Sequence, residues 1–204
     1  MTDKLNDLNG VLLQGHIKIH DPISGEVLID KRNAIHYENM SISLAESLGN
    51  GGQGWIYEMS FGNGGTNVDP TGIITYLTPN STGTNASLYN QTFTKVVDDR
   101  SVNNVDPVRN KIETRHVSGT NYTDILVTCL LDYGEPSGQD AFDTATDSNS
   151  LYVFDELGLK AYSPDGTGRL LTHVIFHPVQ KSLNRLIQID YTVRVQSLTG
   201  FNEG

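Results

Sequence analysis

Arg185-Leu186-Ile187-Gln188-Ile189-Asp190-Tyr191-Thr192-Val193-Arg194-Val195-Gln196 is the stretch that decides the fold class of this chain. Ile187, Ile189, Tyr191, Val193 and Val195 alternate with Gln188, Asp190, Thr192, Arg194 and Gln196. A two-residue period sends apolar side chains to one face and polar ones to the other, which is the pattern of a half-buried strand in an antiparallel sheet. At roughly 3.3 Å per residue the run is about 40 Å long. No stretch of the chain carries a signature of catalysis as clear as this structural one.

Working outward, further strands are expected. Asp124 to Asp132 is close to continuously apolar and reads as a central strand covered on both faces. Trp55 to Phe61 places Trp55, Tyr57, Met59 and Phe61 on one face, then breaks at Gly62-Asn63-Gly64-Gly65-Thr66. Residues 15–20 and 27–30 flank Asp21-Pro22-Ile23-Ser24-Gly25-Glu26, whose Pro and Gly supply turn chemistry, so they form a hairpin. Shorter strands are expected over residues 72–77, 87–97, 111–117, 151–157 and 169–176, with long polar connections over 98–110 and 134–150. One short helix is expected near 40–48, with Asn39 as N-cap, an apolar stripe of Ile42, Leu44, Ala45 and Leu48, and Gly49 as its stop. The reading is an all-β protein, a mainly antiparallel β-sandwich of jelly-roll-like or immunoglobulin-like kind, with one short α-helix. Residues 1–14 form an N-terminal arm and residues 15–204 a single β-sandwich domain carrying the helix.

Composition narrows the function classes. The 204 residues carry 20 Gly and a formal charge of −10, and the 14 basic residues are scattered, with Lys31-Arg32 the one adjacent pair. Phosphate backbones need clustered Lys and Arg, so direct nucleic-acid binding is not expected. Cys129 is the single cysteine; it sits in an apolar run as a small buried hydrophobe and excludes an intramolecular disulfide. Met1 to Asp7 has no signal-peptide pattern, no apolar stretch has the length of a membrane span, and synthesis in a host cytoplasm is expected.

Each candidate for chemistry has a plainer reading. The Gly62–Thr66 loop lacks the Gly-Lys-Ser/Thr ending and the Gly-x-Gly-x-x-Gly spacing of phosphate cradles, which leaves a tight turn or bulge. His173 and His177 are four apart, as are His16 and His20. On a strand that spacing separates them by about 13 Å, too far for one metal ion. Asp140, Asp143 and Asp147, beside Asn149, make the loop 140–147 acidic, but off the register of calcium loops, so it reads as a solvated acidic loop. Asp155-Glu156 and the pair Asp132 and Glu135 would cleave glycosides only if they faced each other across a cleft. No Gly-x-Ser-x-Gly elbow is present. Trp55, Tyr57 and Tyr89 make either a sugar-stacking platform or part of the core. No catalytic, cofactor-binding or metal-binding residue is assigned, no cofactor is expected, and the chain is read as a non-enzyme.

Several motifs occur in a telling order: Asn33-Ala34-Ile35 leading to a helix ending at Leu48; Phe61-Gly62-Asn63-Gly64-Gly65-Thr66; Leu88-Tyr89-Asn90-Gln91-Thr92-Phe93-Thr94-Lys95; Glu156-Leu157-Gly158-Leu159; Asp165-Gly166-Thr167-Gly168; and Leu171 to Lys181 with Phe176 and Pro178. Over residues 30–196 this order resembles a family of virion proteins from tailed bacteriophages. The resemblance implies a non-enzymatic structural part of the neck, collar or tail, assembled as a symmetric homo-oligomer among other virion proteins, with no membrane partner. Gly10-Val11-Leu12-Leu13 is expected to add to a neighbour's sheet edge. The alternatives are a capsid decoration protein, a host-glycan-binding module and, last, a polysaccharide-cleaving enzyme.

Overall fold

Alternating side chains build the strands that the sequence leads one to expect, and the computed structural model, which describes residues 10–136 and 151–198, shows how they join. In chain order they are β1 (Gly10–His20), β2 (Val27–Ile35), α1 (Tyr37–Leu48), β3 (Ile56–Gly62), β4 (Thr66–Val68), β5 (Ile74–Tyr76), β6 (Gln91–Val96), β7 (Lys111–His116), β8 (Tyr122–Leu131), β9 (Leu151–Ala161), β10 (Thr172–Ser182) and β11 (Ile187–Leu198). Nine strands form one antiparallel sheet in the order β6-β3-β9-β10-β2-β1-β11-β8-β7, and β4 and β5 make a separate hairpin. Among the described residues the chain is thus all-β with one short helix.

The sheet has two halves, hinged where β10 meets β2 through only two residue pairs, Thr172 with Ile35 and His173 with Ala34. Strand twist and bulges in β1, β3 and β10 curl it. Phe61, Phe154 and Phe176 from one half and Ile17, Ile189 and Tyr191 from the other share one core. The edge strand β6 is tied across the opening to β8, the neighbour of the other edge: the Lys95 ammonium on β6 donates to the Leu130 carbonyl of β8 at 2.7 Å. The connection from β6 to β7 closes the same side. Buried Asn104 donates to the Asp98 and Asn110 carbonyls, and the Asn110 side-chain oxygen accepts from Leu130 N–H. The result is a sandwich rolled from one continuous sheet.

β11 lies where its alternation demands, between β1 and β8, with Ile187, Ile189, Tyr191 and Val193 buried. Other expectations need correction. Of the N-terminal arm expected over 1–14, Gly10 to Gln14 belong to β1 and pair with Leu198 to Arg194 of the same chain, so Gly10–Leu13 is engaged within its own sheet on that edge. Residues 1–9 lie outside the described residues. The helix begins earlier than 40. Its N-cap is His36, whose Nδ1 accepts the Asn39 N–H, while Asn39 sits inside the helix and donates to the Leu170 carbonyl. Its inward face is Asn39, Met40 and Ser43; Leu48 is 86 % exposed. Of the apolar stripe that periodicity suggested, Leu44 packs against the core, while Asn39 and Ser43 take buried positions beside Met40. β8 is covered on both faces only toward its end, at Cys129, Leu130 and Leu131. β9 and β10 run past Gly158 and Pro178, where the sequence suggested breaks, because a bulge in β10 absorbs the proline.

Candidate functional site

Asp155 and Glu156 lie mid-way along β9, and the Gly62–Thr66 loop closes over them. The Asp155 carboxylate accepts the Gly65 and Thr66 N–H groups, each at 2.9 Å, and the Thr66 hydroxyl. Glu156 accepts from Gly64 N–H at 3.1 Å, Asn90 N–H at 2.8 Å and Tyr89 N–H at 3.0 Å. A fourth bond comes from the buried His173 at 2.9 Å. The Asn80 N–H donates to His173 Nδ1 at 2.8 Å, which leaves the proton on Nε2, facing Glu156. The glycines are required by close approach: a Cβ on Gly64 would lie 2.7 Å from the Asn90 nitrogen, and one on Gly65 would lie 2.9 Å from Ile175 Cγ2.

The loop that looks like a phosphate cradle is therefore an anion cradle filled by the chain's own carboxylates. Burial alone would raise the Glu156 pKa, but the bonds from His173, Asn90, Tyr89 and Gly64 outweigh it and hold the carboxyl below its usual value. Asp155 goes the other way: burial, aided by the charge of Glu156, raises it despite the bonds from Thr66 and Gly65. Both groups are enclosed and bonded to neighbours, so the arrangement anchors the loops that supply those bonds. Four segments of the motif order meet here, namely the Gly loop, the 88–95 segment, the Glu156 element and the 171–181 element.

The anchor positions something else. Thr66 opens the β4–β5 hairpin, so the bonds it donates to Asp155 pin its base, and Leu77 N–H closes the other leg on the Gly65 carbonyl at 2.9 Å. At the tip, Asp69 Oδ1 accepts from Thr71 N–H at 2.8 Å and Ile73 N–H at 3.0 Å. Fixed at both ends, the hairpin holds Val68, Ile73 and Tyr76 at 62 %, 60 % and 53 % exposure. Only three residues per strand, without strong alternation, marked this hairpin in the sequence.

The other candidates separate. Asp132 and Glu135 do not face Asp155 and Glu156; they join Arg109, Lys95 and Lys181 in an ionic cluster. His173 is buried on Glu156, while His177 is exposed beside Tyr76; His16 pairs with Asp30 and His20 with Asp190, each at 2.8 Å. Among the described residues no three His, Cys, Asp or Glu side chains are grouped to hold a metal ion. Asp140, Asp143, Asp147 and Asn149 lie outside the described residues. Burial pushes the Cys129 thiol up to about 12. The aromatic trio is divided: Tyr89 packs on His173, whereas Trp55 stacks on Tyr162 with ring centres 4.5 Å apart, and Tyr57 meets the same ring edge-on at 5.2 Å. Tyr162 was missed because it lies in the turn after β9; its partner is legible only once β3 and β9 are paired.

No protein-family model, curated protein or solved structure matches the chain.

Proposed function

We propose that the chain is a non-enzymatic structural protein of a tailed-bacteriophage particle, assembling as a symmetric multimer in the neck, collar or tail. The observation that carries this reading is the hairpin of β4 and β5. Apolar side chains on a flexible tip fold back when they can; here two carboxylates hold Val68, Ile73 and Tyr76 in water. Rigid exposed apolar surface is a mark of contact with a partner. The motif order that resembles virion proteins builds the anchor of this same hairpin, which joins the resemblance to a physical purpose. The commitment of Asp155, Glu156 and His173 to internal bonds supports a role as a building block rather than a catalyst.

Immunogold labelling of the particle encoded alongside this gene tests the proposal. Label on the neck, collar or tail is the expected result. Label spread over the capsid indicates a decoration protein, and unlabelled particles discard a virion role. In parallel, combining Val68→Ser, Ile73→Ser and Tyr76→Ser is expected to leave the melting temperature unchanged while removing the chain from purified particles.

A further inference from the structure

We infer that the groove walled by Trp55, Tyr57 and Tyr162 is a binding site for a neutral saccharide. It shares no residue with the β4–β5 hairpin and does not depend on the role proposed for it. The groove has a volume of about 600 Å3, with Asp98, Arg100 and Asn103 among its lining residues. That is within the roughly 300–1,000 Å3 of small-molecule sites.

A pyranose ring offers two surfaces, a flat apolar C–H face and a rim of hydroxyl groups. Aromatic walls suit the first and planar polar side chains the second. The groove has both, and it is set before a ligand arrives. Trp55 Nε1 donates to Asp98 Oδ2 at 3.0 Å, fixing the indole against Tyr162, and Asn103 Nδ2 donates to the Tyr57 hydroxyl at 3.1 Å. Side chains already held in place lose little freedom on binding. Arg100 remains available: its side chain is 80 % exposed and its ion contact with Asp98 is long, at 3.6 Å. Its fork of donors matches a pair of neighbouring hydroxyl oxygens.

The charges decide against other ligands. A phosphate or polyanion needs several cations, but this groove pairs one guanidinium with the Asp98 carboxylate and belongs to a chain of formal charge −10. A purely apolar ligand would strip water from Arg100, Asp98 and Asn103 without replacing their hydrogen bonds.

Trp55 is the only tryptophan of the chain, so its emission reports directly on the groove. The full chain is titrated with cellohexaose, maltohexaose, N-acetylchitohexaose and galactohexaose, and separately with oligogalacturonate. A saturable change in Trp55 emission with at least one neutral probe is expected. Arg100→Ala, a change at an exposed side chain that leaves folding intact, is expected to weaken that binding roughly tenfold, the size of one charge-assisted hydrogen bond. Tyr57→Ala is expected to weaken it further, with unchanged far-ultraviolet circular dichroism as the control for folding. Three results overturn the inference: no response to any neutral probe, a response to oligogalacturonate alone, or full affinity in Arg100→Ala. An emission change that follows protein concentration without sugar also overturns it, by making this face a contact between copies.

Discussion

Replacing Glu156 by Gln removes one charge and almost no volume, and the structure says where the damage falls. Gly64 and Asn90 donate to Oε1, so a glutamine that keeps its oxygen there satisfies both. Its amide nitrogen then takes the place of Oε2, facing the Tyr89 N–H and the His173 Nε2–H. Two donors meet a third donor. His173 cannot shift its proton to Nδ1 without losing the bond from Asn80. An unsatisfied buried donor costs about 1–3 kcal/mol. Relief of Asp155, whose pKa the Glu156 charge helps to raise, offsets part of the loss. A net destabilisation of about 3 kcal/mol follows. With a urea m-value of roughly 2–3 kcal/mol/M, the midpoint drops by about 1 M. Trp55 emission follows the unfolding. Glu156 has a folded pKa held below its ordinary 4.5, so its contribution is complete above that value and is lost as pH falls through the folded one. The gap between wild type and Glu156→Gln should therefore close in that acid window. A gap under about 1 kcal/mol at neutral pH, or one that stays constant into acid, refutes the account of the cradle.

Two further outcomes are expected. Lys181 is fully buried on β10, and burial pushes its amine down to about 8 against the pull of Glu135 and Asp132. The folded chain then releases this proton near pH 8, whereas the unfolded chain holds it to about 10.5, so stability rises with pH across that interval; Lys181→Met should flatten the rise in urea midpoints measured along it. At Gly158 a Cβ would lie 2.4 Å from the Thr172 carbonyl oxygen, so Gly158→Ala should cost about 1–3 kcal/mol in a thermal melt, while Gly10→Ala, whose nearest neighbour is 3.8 Å away, should be neutral.

What the sequence disclosed follows the strength of local pattern. β11 alternates because it lies mid-sheet with one face on the core, so its period survives intact. β8 was legible for a different reason, its nearly continuous apolar run, and β7, an edge strand, as a short run ahead of it. α1 was displaced because its cap is a histidine and its buried face uses Asn39 and Ser43, which a search for apolar periodicity passes over. β10 was cut short at Pro178, since a bulge that accommodates proline leaves no local trace. Tyr89, grouped with Trp55 and Tyr57 in the sequence, packs on His173, whereas those two meet on one ring, that of Tyr162. Residues far apart in the chain meet there through the β3–β9 pairing, and that register is not written in either segment alone.

The anchor shows the same limit in its sharpest form. A glycine loop after a strand suggests a phosphate cradle but lacks its spacing, and two adjacent carboxylates on another strand suggest glycoside cleavage but lack a facing pair. They are one another's partner. Backbone N–H groups turned inward by close-packed glycines need an anion; buried carboxylates need donors; neither is stable enclosed without the other. The separation of 90 residues between Gly65 and Asp155 hides the match from any local reading. Once matched, the pair explains why both halves are committed to internal bonds and why the base of the β4–β5 hairpin is pinned. Mutating the donors should therefore have the same signature as mutating the acceptor. Gly64→Ala, with its Cβ 2.7 Å from the Asn90 nitrogen, should loosen the hairpin and lower stability together, whereas a loop independent of Glu156 would show only a local effect.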